Sequence, residues 1–140
     1  MRRMSSLCWS VAALPLAGVL IGCASSPTFR PLTPLPADKA VVYIYRPSKM
    51  LGGWIPIALS VDGNKDVDIF SGDYHNLTLN PGPHFVALHD SKSPQDRVNF
   101  TAVAGQEHYV RVEPTLGGPK VAVVERNQGS AEIAPCHQPD

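Results

Sequence analysis

The strongest constraint on the fold is a series of short, β-prone segments between residues 39 and 126, each closed by turn-forming residues. Lys39 to Arg46 reads KAVVYIYR, dense in the β-branched and aromatic side chains that suit a pleated, packed surface. In a strand, Val42 and Ile44 fall on one face and Val41, Tyr43 and Tyr45 on the other. Pro47 and Gly52-Gly53 then break the chain before WIPIALSV, Trp54 to Val61, where Pro56 points to an edge or a bulge. Asp62-Gly63-Asn64 and Ser71-Gly72-Asp73 are turns on either side of a short strand over Val67 to Phe70. Tyr74 to Leu79 and His84 to His89 each place alternate apolar residues on one face, and Asn80-Pro81-Gly82-Pro83 between them reads as a hairpin turn. Arg97 to Val103, His108 to Glu113 and Lys120 to Arg126 complete the series. No helical period is sustained. The expected fold is all-β, a single small antiparallel β-sandwich of about seven or eight strands. A closed barrel is disfavoured by Pro56 and the uneven strand lengths.

The residues before this region have a different character. Arg2 and Arg3 precede an apolar run from Leu7 to Ile21. That run is shorter than the roughly 20 residues a membrane-spanning helix needs, so an export signal is expected over residues 1–22. It ends Leu20-Ile21-Gly22-Cys23, which resembles the lipobox of bacterial lipoproteins. Small Gly22 gives a peptidase access to the bond, and the Cys23 thiol accepts a diacylglyceryl group. One acyl chain holds a protein only marginally, whereas two or three anchor it stably. Ala24 and Ser25 follow the cysteine, and neither is acidic. In a Gram-negative host that resemblance implies the periplasmic face of the outer membrane.

Residues 23–38 are expected to form a lipidated cysteine and a tether. Pro27, Pro31, Pro34 and Pro36 favour an extended spacer, and residues 24–38 could reach roughly 45 Å in polyproline geometry. The sandwich is expected over residues 39–127 and a polar, loose tail over residues 128–140.

Charge and cysteine usage narrow the function. The whole chain has 12 Lys and Arg against 12 Asp and Glu. Losing residues 1–22 removes Arg2 and Arg3 and no acid, so the processed chain is slightly acidic. Nucleic-acid binding would need a basic excess. Cys8 leaves with the signal and Cys23 becomes a thioether, so Cys136 has no partner for an intramolecular disulfide. It is expected to be an inert tail cysteine, with an intermolecular disulfide as the alternative.

Several motifs then carry a resemblance. The succession Ala40-Val41-Val42-Tyr43-Ile44-Tyr45-Arg46-Pro47, Val61-Asp62-Gly63, Gly72-Asp73-Tyr74, Leu79-Asn80-Pro81-Gly82-Pro83-His84 and Ala104-Gly105-Gln106-Glu107-His108-Tyr109-Val110-Arg111-Val112 resembles the bacterial lipoprotein family termed domain of unknown function 2846. The resemblance spans Lys39 to Arg126 and implies a β-sandwich lipoprotein without supplying an activity.

No chemical constellation stands out. His75, His84, His89, His108 and His137 fall at no metal-ligand spacing. Asp62-Gly63-Asn64-Lys65-Asp66 lacks the later bidentate Glu of a calcium loop and reads as a solvated turn. Neither a Gly-x-Ser-x-Gly nor a His-Glu-x-x-His motif is present. No catalytic residue, metal or cofactor is therefore expected. The aromatic residues mostly belong to strands and are expected in the core. The competing reading is a partner-binding patch of Tyr43, Tyr45, Arg46 and Trp54 near the Pro47 to Gly53 tip, aided by Lys49. The expected function is a non-enzymatic, lipid-anchored envelope module that binds another envelope protein or a cell-wall component. The alternative is a small-ligand binder or enzyme whose site is assembled from loops.

Overall fold

The computed structural model describes residues 28–49, 53–89 and 91–139. Gly22 and Cys23 lie outside the described residues, as do residues 50–52 of the loop before Trp54. The described residues form β1 (Ala40–Tyr45), β2 (Ile57–Val61), β3 (Lys65–Ile69), β4 (Tyr74–Leu79), β5 (Gly82–Leu88), β6 (Arg97–Ala102), β7 (Glu107–Thr115), β8 (Gly118–Val124), one α-helix, α1 (Arg126–Ile133), and a short 3-10 turn over Pro94–Asp96. The strands build two sheets of four, ordered β4-β1-β7-β8 and β3-β2-β5-β6. This is the expected small β-sandwich.

Alternation along the strands fills the space between the sheets. Val42 and Ile44 of β1, Leu77 of β4, and Val110 and Val112 of β7 meet Leu59, Val61, Val67, Ile69 and Val86 of the facing sheet. Each fully buried aliphatic side chain contributes about 1.5–3 kcal/mol. The β2–β3 turn is set by Asp62 and Gly63, both at positive φ (53° and 69°), with the Asn64 amide donating to the Val61 carbonyl at 3.1 Å. That left-handed pair matches the twist of the strands it joins.

Three sequence expectations are corrected. First, the sandwich is not wholly antiparallel. β1 pairs antiparallel with β4 but parallel with β7, Tyr45 lying opposite Arg111. Second, β4 and β5 are not a hairpin. The Asn80–Pro81 link carries the chain from one sheet to the other, so Leu77 pairs with Val42, and Val86 pairs with Val61 and Val98. Leu77 and Val86 still share the interior. An alternating pattern reports which face is buried, not whether a strand's neighbour lies beside it or across the core.

Third, among the described residues, 28–38 and 126–139 pack on the sheet instead of forming a free spacer and a loose tail. The odd-numbered residues of β1 point away from the interior, yet Val41, Tyr43 and Tyr45 are buried. They form a second cluster with Tyr74, Tyr109, Ile133 and Cys136, against which Phe29 and Leu35 pack. Residues 28–38 thus run down the outer face of the sheet, and α1 covers the rest. β1 is buried on both faces, which explains its uninterrupted apolar run. The helix carries no apolar stripe to advertise this. It docks because Gly129 lets it approach Tyr109, where an added Cβ would lie 2.4 Å from the ring.

Candidate functional site

The structure separates the four residues of the competing patch reading, burying Tyr43, Tyr45 and Arg46 and exposing Trp54. Tyr43 and Tyr45 belong to the buried outer cluster. The Tyr43 hydroxyl accepts a hydrogen bond from the Leu32 amide at 2.7 Å. The Tyr45 hydroxyl donates to Glu132 of α1 at 2.6 Å. Glu132 also accepts from Arg111 at 3.0 Å and Gln128 at 2.8 Å. Burial works against the Glu132 charge, but the bonds from Tyr45 and Gln128, together with Arg111, keep its pKa below the ordinary glutamate value. Burial and the bond to Glu132 push the Tyr45 phenol well above its usual range. These tyrosines pin the Leu32 segment and α1 to the sheet and are themselves fully buried. Their burial is the expected core packing, and the competing reading of an exposed patch is corrected for both.

Arg46 is also buried, at 1% exposure. Its guanidinium donates to the carbonyls of Ile55 at 2.7 Å and Ile69 at 3.2 Å. It thereby ties the segment entering β2 to the end of β3. Its backbone bonds Asp73 and Gly72 at 3.0 and 2.8 Å. Burial lowers the Arg46 pKa, and the nearby Asp73 charge opposes that effect. Trp54 alone stands in solvent, at 82% exposure. Lys49 is ion-paired with Glu113 of β7.

Around Arg46 and Trp54 the topology gathers one pole of the sandwich. The end of β1, the starts of β2 and β4, the end of β3 and the β7–β8 turn all meet there. A mostly apolar cleft of about 250 Å³ opens at this pole. Ile55, Pro56 and Ile57 line one side, Pro114 and Pro119 the other, and Arg46 contributes to its wall. Leu116, 99% exposed, caps the adjoining turn, and Ile55 is 48% exposed. Sequence reasoning singles out Trp54 but neither Leu116 nor Ile55. The available signal is the leucine itself, an apolar residue in a turn beside Gly117 and Gly118, where polar or turn-forming residues are usual.

Several polar side chains are engaged elsewhere in pairs. His89 contacts Asp66 at 3.1 Å, and His137 contacts Asp73 at 3.0 Å. A larger depression of about 570 Å³ lies beside α1, where Arg126 pairs with Glu107 at 3.0 Å. Among the described residues, no three His, Cys, Asp or Glu side chains gather as a metal-binding group. Cys136 is buried, its sulfur 3.9 Å from the Arg46 and Glu132 carbonyls. Burial, and then the Asp73 charge, push its thiol up to about 11. It stays protonated and unreactive at neutral pH. Such a buried sulfur is not placed for an intermolecular disulfide.

One pair gives the fold a pH signature. Asp62 meets His84 Nδ1 at 2.6 Å and accepts from the Phe85 amide at 3.0 Å. His84 Nε2 lies 2.7 Å from the Asn80 carbonyl. Both ring nitrogens face acceptors, so the imidazolium satisfies both contacts. Burial, the largest influence on each group, disfavours their charges. The hydrogen bond between them, aided by the Asn80 and Phe85 contacts, outweighs it: His84 is held above its ordinary value and Asp62 below. The histidine contribution to stability is full below the unfolded value of about 6.5 and is lost as pH rises through the raised native value. The aspartate contribution is full above about 3.9 and is lost as pH falls through the lowered native value. Asp62→Asn is expected to lower the His84 pKa in an NMR titration and to flatten the alkaline limb of the stability profile. An unmoved titration would show that Asp62 does not hold the proton.

The family described as protein of unknown function (DUF2846) matches residues 36–126, well over half of the chain. The match takes in all eight strands and stops short of Phe29, Leu35 and Ile133, which cover the outer face. No curated protein and no solved structure matches the chain.

Proposed function

Because the chain belongs to the DUF2846 family, whose description assigns no activity, we propose a function from the chain's own residues: a lipid-anchored cell-envelope protein whose sandwich is a non-enzymatic binding or structural module. The Leu20-Ile21-Gly22-Cys23 sequence supports the anchor. The observation that carries the module reading is the fate of the polar side chains. Asp62, Asp66, Asp73, Glu107, Glu113 and Glu132 each hold a basic partner, while the concavity at the pole is mainly apolar. This arrangement suits contact better than proton transfer. The sheets end in β4 and β8, and in β3 and β6. One of these edges is the proposed contact for another envelope protein or a cell-wall component. With Ala24 and Ser25 after the cysteine, the proposed location is the periplasmic face of the outer membrane in a Gram-negative host.

Cys23→Ser is expected to abolish palmitate labelling and to accumulate a precursor that retains residues 1–22, read by mass spectrometry. Labelling that survives the substitution would refute the anchor. Crosslinking in intact envelopes is expected to trap a reproducible adduct, and repeated failure to trap one would refute the binding module.

A further inference from the structure

We propose that the pole carrying Trp54, Ile55 and Leu116 is a membrane-facing tip that places these side chains in the interface of the bilayer holding Cys23. This rests on the lipid-anchor reading and adds an orientation and a second contact to it.

The first argument is where the chain arrives. Thr28 bridges His137, which also bridges Asp73. The His137 amide donates to the Gly72 carbonyl at 2.9 Å, and the Gly72 amide donates to the Arg46 carbonyl at 2.8 Å. The Arg46 guanidinium holds the Ile55 carbonyl at 2.7 Å. Thr28 is therefore docked at the same pole as the exposed apolar residues. From there residues 28–38 run along the outer sheet toward the start of β1, with the Gly105 amide donating to the Lys39 carbonyl at the far end. The Pro-rich segment does not lift the domain from the membrane, because most of it is spent along the domain's side. Five residue steps separate Cys23 from Thr28, a span of roughly 18 Å at most in any conformation. A lipidated Cys23 thus keeps this pole near the headgroups.

The second argument is what the pole presents. β7 and β8 run past the last β1 pair, Tyr45 opposite Arg111, as far as Thr115 opposite Gly118. Those four residues project the turn by roughly 13 Å, with Leu116 at its apex. Trp54 and Ile55 rise from the neighbouring loop, and Ile55 shares the cleft with Pro114 and Pro119. The Lys49 charge beside them is matched by Glu113. Tryptophan suits this location, since its ring is apolar and its N–H can meet the headgroup layer. Apolar side chains clustered on a protruding tip also mark a contact surface more strongly than the same residues scattered singly.

The test uses the processed, lipidated protein. Removal of residues 1–22 takes Trp9 away and leaves Trp54 as the single tryptophan. The protein is reconstituted into phosphatidylethanolamine–phosphatidylglycerol vesicles with and without acyl-chain-brominated lipid, and floated on a gradient. Trp54 emission is expected to shift to the blue, to be quenched by brominated lipid and to resist acrylamide. Leu116→Ser should weaken that quenching without unfolding the domain, because its side chain is almost wholly in solvent. Floating, palmitate-labelled protein whose emission stays red and acrylamide-sensitive would overturn the tip and leave the anchor standing. A photocrosslinker placed at position 116 that captures a protein and no lipid in native envelopes would identify a protein occupant and overturn the lipid contact. Protein that neither labels nor floats would overturn the anchor, and the tip with it.

Discussion

Arg46→Ala is expected to destabilise the domain by about 3–5 kcal/mol, the scale for breaking a buried charge network by removing one member. Three losses combine. The carbonyls of Ile55 and Ile69 lose their guanidinium donor, and a buried acceptor left without a partner costs about 1–3 kcal/mol. The Asp73 carboxylate, itself buried, loses the nearby positive charge. The stem of a large, fully buried side chain leaves a cavity. Domains of this kind are stable by only about 5–15 kcal/mol, so the urea midpoint should fall sharply, or the protein should fail to accumulate. Arg46→Lys should fall between the two, because one ammonium keeps the charge but lacks the planar fork. A midpoint unchanged in Arg46→Ala would show that the network is incidental.

This expected result changes how Arg46 is used in functional tests. In the sequence, an arginine beside two tyrosines and ahead of a Pro-Gly loop reads as a gripping patch. In the fold it is an internal brace, and its loss would resemble loss of binding only because the protein unfolds. Exposed Trp54 and Leu116 allow a cleaner test, since substitutions away from packing usually change stability by less than about 0.5 kcal/mol.

The same contrast shows what the sequence made legible. Each of the eight strands is marked by its β-prone residues and a break in the chain, and the parity of Val42 and Ile44 against Tyr43 and Tyr45 correctly separates the two faces of β1. The pairing of those strands is less visible. Leu77 and Val86 alternate identically whether β4 and β5 are sheet neighbours or face each other across the core, and Asn80-Pro81-Gly82 suits either connection. The parallel β1–β7 pair joins residues 66 apart and is set by the crossing between sheets, which no local pattern encodes. The outer layer is hidden for another reason. Phe29, Leu35 and Ile133 are isolated apolar residues in polar or Pro-rich surroundings, too sparse to form a period. The missing half of that signal is β1 itself. An uninterrupted Ala-Val-Val-Tyr-Ile-Tyr strand requires cover on both faces, and a two-sheet sandwich covers only one. For the candidate site, Trp54 was legible between Gly52-Gly53 and Pro56, whereas the pole it belongs to depends on where β7 and β8 turn.

Gly129→Ala tests that outer layer most directly. An alanine Cβ at this position would lie 2.4 Å from Tyr109 Cγ and 2.5 Å from its Cβ. Tyr109 is buried on β7 at the centre of its sheet, so it has no room to retreat. In an isolated helix, alanine is preferred to glycine by about 1 kcal/mol. The substitution therefore favours the helix and opposes only its docking, which separates packing from propensity. Overpacking a filled site costs about 1–3 kcal/mol when the surroundings can shift. Here the nearest relief is for α1 to lift away and release the Tyr45–Glu132 bond. Undocking would also uncover Cys136, the one thiol that the proposed removal of Cys8 and acylation of Cys23 would leave free. The native protein should resist alkylation at neutral pH, because its thiol is both buried and held at about 11. Gly129→Ala should instead alkylate readily while far-UV circular dichroism still reports the sheets. Slow alkylation in both proteins, with equal melting temperatures, would show that the close approach of α1 to Tyr109 does not govern the packing of the outer face.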